Sequence, residues 1–168
     1  MRTRRWAWAD LEFSYDGATM TLFGTRARLY AVSPAPATLD AMLDDVRARL
    51  DMEPPGADLL YSDAFAGLMS DVTPATDMGP SPVGRMPTHH LAFRSRDVDW
   101  QIWIDEGARP LPRKYLITTK WSTGAPQHAV EFGEWNLFPQ LADSTFTFRP
   151  PTDAQKIEFL PRAGTAPR

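Results

Sequence analysis

The stretch Val98-Asp-Trp-Gln-Ile-Trp-Ile104, with Asp105-Glu-Gly107 and then Pro110-Leu-Pro-Arg-Lys-Tyr-Leu-Ile-Thr-Thr-Lys120, decides the fold class. Val98, Trp100, Ile102 and Ile104 alternate with Asp99, Gln101 and Asp105, the period of two that gives a strand one apolar and one mostly polar face. The turn residues between the halves predict two antiparallel strands joined by a tight bend. Trp103 is the one large misfit, an indole on the face that should be polar.

Working outward, everything after Pro87 reads as strands: Thr88 to Arg94, Asp97 to Ile104, Arg113 to Trp121, His128 to Trp135, Thr145 to Phe148 and Lys156 to Phe159. Sequential strands with short links pair antiparallel, so the expectation is one meander. Upstream, the aromatic run from Trp6 to Tyr15 meets Asp16-Gly17, a strong hairpin signal, before Thr19, Thr21 and Phe23. A short strand at Tyr30-Ala-Val32 ends at Ser33-Pro34-Ala-Pro36, where two prolines remove backbone donors.

Between these halves the period changes. Leu39, Met42, Leu43, Val46 and Leu50 form one stripe of an amphipathic helix, with Thr38 as its N-cap and Pro54-Pro55-Gly56 as its end. A shorter helix carrying Phe65, Leu68 and Met69 follows a Ser62 cap, and the Pro/Gly/Ser-rich segment from Asp71 to Met86 reads as a weak strand near Val72 plus a loop. The two helices have no other partner in a single-domain chain. The expected fold is therefore α+β: a curved antiparallel sheet with helices packed on its concave face.

At 168 residues the chain can bury a core as one domain, 1–168, with 1–5 and 161–168 as flexible tails. Eighteen Lys+Arg against 21 Asp+Glu give a net charge of −3, which argues against a nucleic-acid partner; the arginines at 2, 4 and 5 are a solvated local exception. Zero cysteines exclude disulfides, thiolate metal sites and a cysteine nucleophile. No run is long and apolar enough to span a membrane, and Asp10 and Glu12 interrupt what could otherwise start as a signal peptide.

Signals for chemistry are thin. His89 and His90 are neighbours on a strand and point to opposite faces, so they cannot share one ion; one is expected outside and the other packed under a helix. Ser62, Ser70, Ser95 and Ser144 lie in no nucleophile elbow, and no phosphate-binding glycine motif is present. Asp97 and Asp99 could act as paired acids, but a solvated strand edge accounts for them. No catalytic residue, metal or cofactor is therefore expected. Trp100, Trp103, Tyr115, Trp121, Phe132 and Trp135 come from successive strands, either as core or as the lining of a face too wide for side chains to fill.

His90-Leu-Ala-Phe-Arg94, Val98 to Ile104, Pro110 to Lys114, Ile117-Thr-Thr-Lys120 and Phe146-Thr-Phe-Arg-Pro-Pro151, in that order, resemble a domain-of-unknown-function family of predicted periplasmic proteins. Tyr15-Asp-Gly17 and Asp58-Leu-Leu-Tyr-Ser-Asp63 extend the likeness over nearly the whole chain. That family is grouped with the LolA/LolB-like lipoprotein carriers, whose fold is an incomplete antiparallel barrel closed by helices over an apolar cavity. The resemblance implies a half-barrel holding a lipid or lipoprotein acyl chain, with the helices as lid, no catalytic residue and a periplasmic setting. Leu43, Val46, Phe65, Leu68, Phe93, Trp100, Ile102, Trp103, Tyr115 and Phe132 are the residues expected to line it. Family members look longer at the N-terminus, which implies a shortened member without its signal peptide. Two competing expectations are a structural module that pairs, or dimerises, through an open sheet edge, and a truncated fragment.

Overall fold

Residues 2–6, 9–50 and 56–159 are described by a computed structural model, with residues 2–6 and 9–10 given as backbone only. The elements are β1 (Arg2–Trp6), β2 (Ala9–Tyr15), β3 (Thr19–Gly24), β4 (Leu29–Pro34), α1 (Leu39–Leu50), a 3-10 turn (Ala57–Leu60), α2 (Ala64–Met69), β5 (Ala75–Pro80), β6 (Thr88–Arg94), β7 (Val98–Asp105), β8 (Pro112–Thr119), β9 (Gln127–Glu131) and β10 (Gln155–Lys156). They form two open five-stranded sheets, ordered β1-β2-β3-β4-β10 and β5-β6-β7-β8-β9. The chain divides into two units: β1 to β4, α1 and the segment from Pro139 onward make the first, and the residues from the 3-10 turn to Phe138 the second.

In the first unit the β2–β3 hairpin turns at Asp16-Gly17. The Asp16 carboxylate accepts the backbone N–H groups of Ala18 (3.0 Å) and Thr19 (2.7 Å) and the Thr19 hydroxyl, and Gly17 takes φ +94°, a conformation that favours glycine. These bonds to the ionised form, led by the Thr19 N–H, hold Asp16 below the ordinary carboxylate range. A depressed folded value means the stabilisation is complete above the unfolded value, near 4, and is lost as pH falls through the folded one. Asp16→Ala is thus expected to destabilise by about 0.5–1 kcal/mol at neutral pH, the low end for a cap because the carboxylate is exposed. In urea titrations of both proteins the difference should shrink below about pH 4; a gap that persists unchanged to pH 2 would refute the assignment.

This first sheet is buried on both faces. Phe13, Tyr15, Met20, Ala31 and Ser33 lie on one, and Glu12, Ser14, Thr21 and Phe23 on the other. α1 belongs to the first of these faces: the Tyr15 hydroxyl donates to the Pro36 carbonyl (2.5 Å), the Arg49 guanidinium donates to Ser33 Oγ (3.3 Å), and the helix buries Met42, Leu43 and Val46. Thr38 caps it through its Oγ1, which accepts the Ala41 N–H at 3.3 Å. Phe148 covers the second face, its ring 5.5 Å from Phe23 and 5.4 Å from Tyr30. Beyond it, β10 pairs in parallel with β4, and Asp153 forms an ion pair with Arg28, whose Nε lies 2.7 Å from the carboxylate.

The second unit holds the hairpin from Val98 to Thr119. β5 to β9 form an antiparallel meander in which β7 is central, pairing Phe93↔Trp100 and Leu91↔Ile102 on one side and Trp100↔Ile117 and Ile102↔Tyr115 on the other. α2 is capped by Asp63, whose carboxylate accepts the Ala66 N–H at 2.9 Å, rather than by Ser62.

Several expectations are corrected. The single sheet is two, neither closed, and the chain after Phe138 returns to the first. The meander therefore has five strands. Where a strand was expected at Thr145 to Phe148 there is a 3-10 turn over Asp143–Thr145, and the last strand is the two residues of β10. The strand expected near Val72 is β5, since its pairing with β6 sets in at Ala75↔Phe93. The two helices fall in different units, α1 in the first and α2 in the second. Residues 2–5, expected as tail, run as part of β1, whereas the tail 161–168 and the helix stop at Pro54-Pro55 lie outside the described residues.

Candidate functional site

Strand register places Leu91 and Phe93 of β6, Val98, Trp100, Ile102 and Ile104 of β7, Tyr115 and Ile117 of β8, and His128 and Val130 of β9 on one face of the second sheet. Trp100 is its centre. Phe93 stacks on it at 3.9 Å between centroids, and Tyr115 meets it edge-on at 6.0 Å. Only Trp100 and Tyr115 are buried, at 5% and 2% exposure; the aliphatic residues around them are half-buried. Burial raises the Tyr115 phenol far above its ordinary range, and the negative charge of Asp58 in the 3-10 turn raises it further, so the hydroxyl is neutral at all physiological pH.

The cover over this face is slight. The 3-10 turn approaches through Asp58 and through Gly56, where an added Cβ would meet the Val130 side chain at 3.7 Å. α2 buries none of its six residues, and Phe65 is 76% exposed while Leu68 is half-buried. Such a helix has little packing to hold it down.

The opposite face is a polar ladder, and it accounts for Trp103. His90 stacks on the indole at 4.0 Å from β6, the Lys114 ammonium lies 5.3 Å from its centroid from β8, and the indole N–H donates to Ser81 Oγ at 3.2 Å. His90 Nε2 lies 2.8 Å from Gln101 Oε1, and Lys114 pairs with Glu131 at 3.4 Å. Cross-strand neighbours thus engage Trp103 from both sides. His90, instead of packing under a helix, is part of this ladder. His89 sits on the other face at its rim, 2.6 Å from Asp77 and 3.8 Å from Glu106. The Gly79 N–H first and His89 second hold the Asp77 carboxyl below its usual range.

Of the residues expected to line a ligand site, the structure therefore brings Phe93, Trp100, Ile102 and Tyr115 together and places Trp103 on the reverse side. Phe65 and Leu68 are on α2, and Phe132, beyond β9, stacks on Trp135 at 5.3 Å. Leu43 and Val46 are buried on α1 in the first unit. Leu91, Ile117 and Val130 were missed, although the same alternation marks them: Leu91–Phe93, Tyr115–Ile117 and His128–Val130 each repeat at i, i+2.

Asp99 forms an ion pair with Lys120 at 3.0 Å, and Asp97 lies in the turn before β7, so the two do not make an acid pair. Among the described residues no group of three or more His, Cys, Asp or Glu could hold a metal ion, and no helix is long and apolar enough to cross a membrane.

Fold and site together define an α+β protein of two open, mainly antiparallel sheets, one of which carries an aromatic face that the 3-10 turn approaches. Residues 3–160 match the family described as predicted periplasmic protein (DUF2092), and the chain belongs to that family. None of the curated proteins matches it.

Proposed function

We propose that the protein is a non-enzymatic carrier of an apolar ligand, a lipid or the acyl chain of a lipoprotein, acting in the periplasm in the manner of the LolA/LolB-like proteins its sequence resembles. The supporting observation is the Trp100 face, whose aliphatic residues stay half-buried, beside a helix that buries nothing of its own and packs on the 3-10 turn. An acyl chain laid along Leu91, Phe93, Ile102 and Ile117 removes that apolar surface from water, at roughly 25 cal/mol for each Å² covered. α2 is the lid in this proposal: lifting it costs little, and Phe65 and Leu68 close over the chain.

Solvent extraction of the purified protein followed by mass spectrometry is expected to release lipid, and the extracted protein to bind a fluorescent fatty acid. Ile102→Gln, which sets an amide on the apolar face, should weaken that probe about tenfold or more, while Trp103→Ala leaves its affinity unchanged. No extracted lipid together with no probe binding would remove the proposal.

A further inference from the structure

The two edges of the second sheet differ in kind. β5 is blocked: a bulge lies between Asp77 and Gly79, the Gly79 N–H is bonded to the Asp77 carboxylate at 2.8 Å, and Pro80 has no donor. β9 carries none of these devices. Its phase follows from two bonds, Phe132 N–H to the Arg113 carbonyl and Thr119 N–H to the Pro126 carbonyl, which turn the even-numbered residues 126 to 132 toward β8. The backbone groups of Gln127, Ala129 and Glu131 therefore face outward. All three residues are exposed, and among the described residues no strand pairs with that edge.

From this edge we infer a homodimer in which β9 pairs antiparallel with β9 of a second copy about a two-fold axis at Ala129. The register is self-complementary. With Ala129 opposite Ala129, each outward residue finds an outward residue, and Gln127 of one copy faces Glu131 of the other, an amide donor against a carboxylate rather than charge against like charge. Ala129, the smallest of the three outward residues, sits on the axis. A second copy is favoured over a foreign strand because only a second copy supplies this match at both ends. The inference does not depend on the apolar-ligand proposal.

The chain has no cysteine, so Ala129→Cys introduces the sole thiol. Facing residues in a hydrogen-bonded antiparallel pair have Cα atoms about 5.5 Å apart, within disulfide reach. Mild oxidation of Ala129→Cys is expected to give a covalent dimer, and Thr76→Cys on the blocked β5 edge to remain monomeric. By sedimentation across a concentration series the unaltered protein should dimerise; Gln127→Glu should weaken the dimer about tenfold, and Gln127→Lys should tighten it, since both changes act at two symmetric cross-strand pairs. Ala129→Cys cross-linking no faster than Thr76→Cys, or a dimer indifferent to both Gln127 substitutions, would overturn the inference. So would a monomer throughout the series.

Discussion

Trp100→Ala is expected to cost about 3–5 kcal/mol of stability, while Trp103→Ala, three residues along the same strand, costs about 1–2 kcal/mol. Both remove an indole from β7, and the difference lies in what each indole faces. Trp100 is 5% exposed between Phe93 and Tyr115, so truncation leaves a cavity that three strands cannot collapse to fill. Trp103 is half-buried, and water can reach the space it leaves; the loss is its stacking on His90, the Lys114 contact and the bond to Ser81. Urea unfolding followed by far-UV circular dichroism measures both. Equal losses would show that the faces of β7 have been assigned the wrong way round.

Met20→Ala should be comparably severe, about 2–5 kcal/mol. Met20 is fully buried in the first sheet, directly opposite Tyr15 on β2 and Ser33 on β4. Those two neighbours carry the polar attachments of α1, at Pro36 and Arg49, so Met20 lies between the points where the helix is tied on. Loss of its side chain is expected to lower amide-exchange protection along α1 as well as in β3. Leu22→Ala, two residues along on the same face but half-buried, is the matched control and should cost less. Retained α1 protection in Met20→Ala would show that the helix is held by something other than this face.

The local elements were largely legible because their signals are local. α1 has the span its apolar stripe and Thr38 predict, and β6 has the limits expected for it. The Asp16-Gly17 turn needed only a carboxylate that bonds its own backbone and a residue free to take φ +94°. Strand ends drifted where turn chemistry was ambiguous, as in β9, which stops at Glu131 before the aromatic pair Phe132 and Trp135. Of the candidate site, the Trp100 face was readable by alternation. Trp103 was not, because a period of two says which side an indole is on and nothing about which neighbours meet it there.

By itself, then, the sequence determined most of the strands, the helix α1 and the two-faced hairpin from Val98 to Thr119, which rest on spacing along the chain, and it carries the motifs by which the chain belongs to its family. The tertiary structure alone decided the partition. It sent Phe148 and β10 back to the first sheet, assigned α1 and α2 to different units, and left β9 as an edge with its hydrogen-bonding groups outward. The physical reason is that a strand's own residues specify its pleat and its apolar face, whereas its neighbour is chosen by a competition among all strands for the same backbone donors and acceptors. That competition is settled across the whole fold, and no single stretch of sequence contains its outcome.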